Sequence, residues 1–347
     1  MDARTSHGSA GASELEAGGR EPSGERRALS RGDARAAALA RIGPLDADVL
    51  LAHALGITKE ALYAHPEVAL TGEEAARVAA LVERRAGGEP VAYLRGFKEF
   101  RGLALTVDPR VLIPRPETET LVETALAFVR RAHARTVADV GTGSGAIAIA
   151  LAVAEPSLRV IALDISADAL ALARENAARH GVADRVTFRW GDLLAPLDAP
   201  VDVVTANLPY LREEPVARRA DRPTADPAAS TGERTPLASE LTSLASERAS
   251  LAFEPAIALY AGADGLGLVR RAIADLPRVL APRGAAFFEI DPPEADEVAA
   301  LLRATVGGTV WIVPDLAGDA RVVVAERGAG TAVADGLSHA GSGGAVR

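Results

Sequence analysis

The segment Asp139-Val140-Gly141-Thr142-Gly143-Ser144-Gly145 sets three glycines at alternate positions, after a short β-branched run and before the Ala-rich run that starts at Ala146. Glycines so placed let a backbone turn tightly and come close to a ligand. The spacing is Gly-x-Gly-x-Gly, with Ala146 where a dinucleotide fingerprint would continue, which disfavours a nicotinamide cofactor. An acid at Asp139 would repel a pyrophosphate, whereas S-adenosyl-L-methionine carries no phosphate and bears a cationic ammonium and sulfonium. Asp164 ends the next β-branched run, about 20 residues on, where an acid can receive the two ribose hydroxyls of either nucleoside cofactor. Asp192, in Trp190-Gly191-Asp192-Leu193, is placed to meet an adenine amino group with Leu193 against the ring. The plainer role for Asp192 is a helix cap or turn.

Asn207-Leu208-Pro209-Tyr210 follows the fourth β-branched run. A planar nitrogen is a poor nucleophile because its lone pair is delocalised, so a transferase acting on one must orient it. The Asn207 side-chain oxygen and the Leu208 carbonyl are suited to accept the two hydrogens of an amide and aim its nitrogen at a methyl group. Pro209 holds the turn and Tyr210 is suited to pack on the planar group. No general base is obligatory, since the proton leaves readily once the nitrogen is cationic. An Asx turn followed by proline is the bland alternative.

These segments need a scaffold, and the surrounding pattern supplies one. Seven short runs, Thr136 to Val140, Val160 to Leu163, Val186 to Phe188, Val201 to Ala206, Ala285 to Ile290, Thr309 to Val313 and Val322 to Ala325, alternate with Ala/Leu-rich helical stretches. That rhythm predicts an α/β, Rossmann-like doubly wound sheet, whose carboxyl edge is where ligands bind. Upstream, residues 36–88 have helical periodicity, with Val49, Leu50, Leu51 and Leu55 on one side and a Thr71/Glu74 capping box before Val78, Leu81 and Val82. They predict a small helical bundle, joined by a hairpin linker over 89–108 to a catalytic domain over 109–327. Gly, Ser and mixed charge mark 1–35 and 328–347 as disordered tails, and 218–250 as an inserted surface loop with helical character near 237–248.

Composition removes several functions. With no cysteine among 347 residues, disulfides, thiolate metal sites and cysteine nucleophiles are excluded. The six histidines, among them His53, His133 and His180, are scattered without ligand spacing, so no metal is expected. A net charge of −9 disfavours direct nucleic-acid binding through phosphates. No apolar stretch reaches spanning length, which predicts no membrane association and a cytoplasmic location.

Beyond these motifs the chain resembles the protein-(glutamine-N5) methyltransferases of the HemK/PrmC type, which modify the Gly-Gly-Gln motif of peptide-chain release factors. The likeness runs through Gly88-Glu89-Pro90-Val91-Ala92-Tyr93, Glu99-Phe100-Arg101-Gly102-Leu103, Val107-Asp108-Pro109-Arg110-Val111-Leu112-Ile113-Pro114-Arg115-Pro116-Glu117-Thr118-Glu119, Phe253-Glu254-Pro255 and Asp264-Gly265-Leu266. It implies a seven-stranded class I domain in which Gly141 to Gly145, Asp164 and Asn207 contact the methyl donor. It also implies that Asn207 to Tyr210 hold the glutamine and that the bundle helps dock a release factor; a monomer is expected. Arg115 and Glu117 carry capping or linker roles as readily as catalytic ones. Three departures stand out. Leu208 replaces the family's usual proline, Asp291 replaces a glycine after Glu289-Ile290 as a turn change, and the 218–250 insertion lies near substrate entry. Rival readings are an N-methyltransferase acting on an exocyclic amine of nucleic acid or on another protein glutamine, a nicotinamide-dependent oxidoreductase, and a non-catalytic interaction protein.

Overall fold

The structure, a computed structural model, describes residues 28–211, 250–262 and 264–328. All but Ser250 of the predicted insertion, residues 1–27 of the first predicted tail and residues 329–347 of the second lie outside the described residues.

The amino-terminal bundle starts earlier than composition suggests. Helix α1 (Arg31–Ile42) is opened by Ser30, whose side chain accepts from the Asp33 amide while the Asp33 carboxylate accepts from the Ser30 amide. A reciprocal cap of this kind satisfies two otherwise orphaned donors. Assigning 1–35 to a disordered tail is therefore corrected: residues 31–35 are helical. The signal is faint in sequence because the cap is Ser-x-x-Asp and the buried face is only Ala34 and Ala38. Helix α2 (Pro44–Leu55) begins on proline, whose missing N–H costs nothing there, and stops at left-handed Gly56. Helices α3 (Lys59–Ala64) and α4 (Gly72–Ala86) follow, α4 with the Thr71/Glu74 capping box in place. Ala38, Ala47, Leu51, Leu62, Val78 and Val82 form the bundle core.

Residues 89–108 contain a short helix α5 (Val91–Arg95) before the hairpin of β1 (Phe97–Phe100) and β2 (Leu103–Thr106). This hairpin is docked on the sheet domain. Phe100 and Leu105 are buried in the main core. Asn176, itself fully buried, accepts from the Thr106 amide at 2.8 Å and donates to the Thr106 carbonyl at 3.0 Å, as a third strand would.

The main domain contains helix α6 (Thr118–Ala132), β3 (Thr136–Val140), α7 (Ala146–Ala154), β4 (Arg159–Asp164), α8 (Ala167–Arg179), β5 (Val186–Trp190) and β6 (Val201–Ala206). After the segment outside the described residues come α9 (Gly267–Val279), β7 (Leu280–Glu289), α10 (Ala295–Val306), β8 (Thr309–Pro314) and β9 (Ala320–Glu326). The seven-stranded sheet has the order β5-β4-β3-β6-β7-β9-β8, with β9 antiparallel to both of its neighbours. Val, Ile and Ala dominate the strands because both faces are covered. Helices α6 and α7 cover one face, and α9 and α10 the other. Helix α7 is apolar all round, with Ile147, Ile149 and Leu151 buried; each such side chain removed from water contributes roughly 1.5–3 kcal/mol.

The strand order places the site. The chain runs outward through β3, β4 and β5, then returns to the other side of β3 as β6. Between β3 and β6 the connections leave in opposite directions, and a crevice opens at their carboxyl ends. The glycine loop follows β3 and Asn207 follows β6.

Candidate active site

Gly141, Gly143 and Gly145 have φ of 69°, 54° and 82°, left-handed values that cost a non-glycine residue roughly 1 kcal/mol or more. The turn is tied down from beneath by Asp139. This residue is fully buried, accepting from the Thr142 hydroxyl at 2.7 Å and the Thr205 hydroxyl at 3.0 Å. Burial raises its carboxyl to about 6, against those two hydroxyls. The expectation that Asp139 selects a cationic ligand by its charge is thereby corrected: the carboxylate faces the core and holds the loop to β6.

Asp164 ends β4 beside the loop. Its Oδ2 accepts from the Gly143 amide at 2.9 Å and its Oδ1 from the Ser166 amide at 2.8 Å. Burial pushes its carboxyl above the usual value, against those amide bonds. Each oxygen keeps a further lone pair, enough for one hydroxyl apiece. Asp192 instead pairs with Arg271 of α9 on the surface, and neighbouring Leu193 has φ 48° and packs partly against the second core. Neither borders the glycine-loop cavity.

That cavity, about 50 Å³, is lined by Gly141 to Ser144, Ala146, Ile147, Leu112, Pro114, Arg115, Thr118 and Asn207. A second cavity of about 150 Å³ is lined by Asn207, Leu208, Pro209, Tyr210, Leu211, Leu112, Arg115, Leu251, Ala258 and Leu259. Asn207, Leu112 and Arg115 belong to both. The Asn207 Nδ2 donates to the Thr118 hydroxyl at 3.1 Å. The Leu208 side chain is buried, its Cδ2 3.1 Å from where a Cβ on Gly141 would lie, so the two loops touch. Tyr210 is half-buried, its hydroxyl pushed above the usual value by desolvation and then by Glu289 and Asp291.

The residues fit S-adenosyl-L-methionine. Side-chain-free turns at Gly141 and Gly143 form one wall, and Asp164 stands beside them with open acceptor capacity for the two ribose hydroxyls.

Two families match the chain: PrmC N-terminal domain over residues 33–96, and Methyltransferase small domain over residues 118–222. A release factor glutamine methyltransferase of Deinococcus radiodurans is 39% identical over 286 residues, covering 82% of this chain and 92% of that protein. Proteins of the same name from Nitratidesulfovibrio vulgaris and Moorella thermoacetica are each 38% identical, covering 82% of this chain and 88% and 91% of their own lengths. The chain belongs to the release factor glutamine methyltransferase family.

In this methyltransferase three residues that the family likeness includes without a role of their own, Thr118, Glu254 and Glu289, make contacts beside the cavities. Thr118 is buried at the start of α6 and takes the Asn207 amide. Glu254, itself buried, accepts from the Ile113 amide at 3.0 Å and pairs with Arg115 at 2.5 Å. Glu289 is 3% exposed, and its carboxyl is raised to about 7, chiefly by desolvation. The available signal was Glu289 at the end of the apolar run Ala285 to Phe288, on the carboxyl edge.

Proposed function

We propose that the chain transfers a methyl group from S-adenosyl-L-methionine to the side-chain amide nitrogen, N5, of the glutamine in the Gly-Gly-Gln motif of a peptide-chain release factor. The observation that carries this reading is the shared wall: Asn207 borders both the glycine-loop cavity and the cavity of the Asn207 to Tyr210 turn. When bound, the methyl donor supplies an electrophilic carbon on a sulfonium that departs as a neutral thioether. The chain's own residues supply orientation.

With Nδ2 given to Thr118, Asn207 has its Oδ1 left to accept one amide hydrogen of the glutamine, and the Leu208 carbonyl accepts the other. Two acceptors on one NH2 set the amide plane and turn the nitrogen toward the methyl carbon. Holding reactants in such geometry is worth several kcal/mol of barrier. Pro209 holds Leu208 extended, and Tyr210 flanks the amide plane. The methylated nitrogen, cationic once the methyl is bonded, loses its extra proton to solvent without a dedicated base. Gly141 to Gly145 and Asp164 hold the donor, while Asp192 and Leu193 close on its adenine after Asp192 leaves Arg271. The amino-terminal bundle docks the release factor, the protein acts as a monomer without nucleic acid, and it works in the cytoplasm, where release factors act. Among the described residues no helix is long and apolar enough to cross a membrane.

The test is transfer of a labelled methyl group to purified release factor, to a variant with the Gly-Gly-Gln glutamine replaced, and to DNA. Label on the intact factor alone supports the reading; label on DNA overturns it in favour of an exocyclic amine.

A further inference from the structure

Glu289 is an acid for which methyl transfer, as described so far, has no use. It ends β7 directly beyond the register in which Phe288 pairs with Ala206 of β6, which places it beside Asn207. Its Oε2 is buried and has no hydrogen-bond partner among the described residues, and the Thr118 hydroxyl and the Asn207 amide are the neighbouring polar side chains that favour its ionised form. A buried carboxylate left partly unsatisfied is costly, and a hydrophobic residue would fill a strand end more stably.

We propose that Glu289, acting with Thr118, is a positioning residue that sets which end of the Asn207 side chain faces the glutamine substrate. This rests on the methyl-transfer reading above. An ionised carboxylate only accepts. It therefore takes the single hydroxyl proton of Thr118, whose oxygen is then left to accept from Asn207 Nδ2, as it does at 3.1 Å. The nitrogen end of Asn207 is committed to this pair and Oδ1 is turned to the cavity. Reversed, Asn207 would present N–H to the substrate's own N–H, and the acceptor would be lost. A glutamine at 289 can donate as well as accept, so the direction of the chain would no longer be set.

Protonated Glu289 has the same ambiguity. Its carboxyl is raised to about 7 by burial, with Arg321 of β9 drawing it down and Glu117 ahead of α6 pushing it up. Tyr210 after β6 also feels its charge, and Asp291 after β7, Arg321 and Arg115 act on Tyr210 in turn. The Asn207 amide is held one way above this value and released below it.

The experiment uses the full chain with S-adenosylmethionine and a release factor, comparing wild type with Glu289→Gln, Thr118→Val, Thr118→Ser and the Glu289→Gln/Thr118→Val double variant. Separate kcat and KM are read on either side of pH 7, along with the side-chain amide resonance of Asn207 in 15N-asparagine-labelled protein. The expected result is a fall in kcat of about 10²-fold in Glu289→Gln and in Thr118→Val, little change in KM, and no further loss in the double variant. Thr118→Ser recovers most of what Thr118→Val loses. Wild-type kcat climbs as pH rises through about 7, the Asn207 resonance titrates with it, and both responses vanish in Glu289→Gln. Wild-type kcat with an unmoved Asn207 resonance in Glu289→Gln would overturn the proposal, as would single losses that multiply in the double variant. Because the resonance is read without turnover, it decides the role of Glu289 even if wild type transfers nothing to the release factor, an outcome that would count against the proposed function alone.

Discussion

Glu254 pairs with Arg115 across 139 residues of sequence, Arg115 Nη2 lying 2.5 Å from Glu254 Oε1. The other carboxylate oxygen accepts from the Ile113 amide at 3.0 Å, so one buried acid clamps the 113–115 segment over both cavities. Glu254→Gln keeps the shape and removes the charge. We expect a loss of about 1.5–3 kcal/mol, the range for hydrogen bonds to a charged group, with a raised KM for the protein substrate. Urea midpoints and steady-state kinetics check both, and unchanged values would show that the clamp is dispensable.

Asn207→Ala removes the side-chain acceptor while leaving the backbone carbonyl of Leu208. The expected outcome is a loss of about 10²-fold or more in kcat with the methyl donor bound somewhat more weakly. Calorimetry and methyl transfer on one preparation separate the two. Full activity would remove Asn207 from the chemistry.

Leu208→Ala separates side chain from backbone. The side chain is 4% exposed and packs on Gly141, so its truncation is expected to cost about 2–4 kcal/mol of stability. The carbonyl proposed to orient substrate is retained, so kcat should fall less than in Asn207→Ala. A loss of kcat equal to that of Asn207→Ala at full stability would contradict this division.

Gly141→Ala meets two obstacles. Its φ of 69° is strained for alanine, and the new Cβ would approach Leu208 Cδ2 at 3.1 Å. A cost of about 1–2 kcal/mol at the loop corresponds to donor affinity weakened about tenfold, measurable by titration calorimetry. Unaltered affinity would place the donor elsewhere.

Asp139 links stability to pH. Its folded carboxyl, raised to about 6 from 3.8, binds a proton more tightly than in the unfolded chain. The associated stabilisation is present below 3.8 and is lost as pH rises through about 6. Asp139→Asn, able to keep bonds to Thr142 and Thr205, is expected to lack that slope and to be more stable than wild type above pH 6 by about 1–3 kcal/mol. Denaturant midpoints across that window give the answer, and a parallel slope in both proteins would show that Asp139 is not the group responsible.

Much of the site is legible in sequence because it depends on local backbone requirements. Three alternating glycines demand a turn with positive φ, β-branched runs alternating with Ala-rich ones demand a covered parallel sheet, and Asn-x-Pro-Tyr after a strand demands a turn at its carboxyl end. Periodicity and residue type encode all three. What sequence could not supply was which distant side chains complete them. Asp139 reads as a loop acid, yet its register on β3 points it into the core toward Thr205, and Asp192 is turned to Arg271 only because α9 packs alongside. Glu254 and Arg115, or Glu289, Thr118 and Asn207, come from segments far apart in the chain. They meet because the crossover between β3 and β6 brings the carboxyl ends of β3, β6 and β7 to one edge and sets the start of α6 above them. Hydrogen bonds that close over such separations follow from sheet order and burial, which no local pattern of residues records.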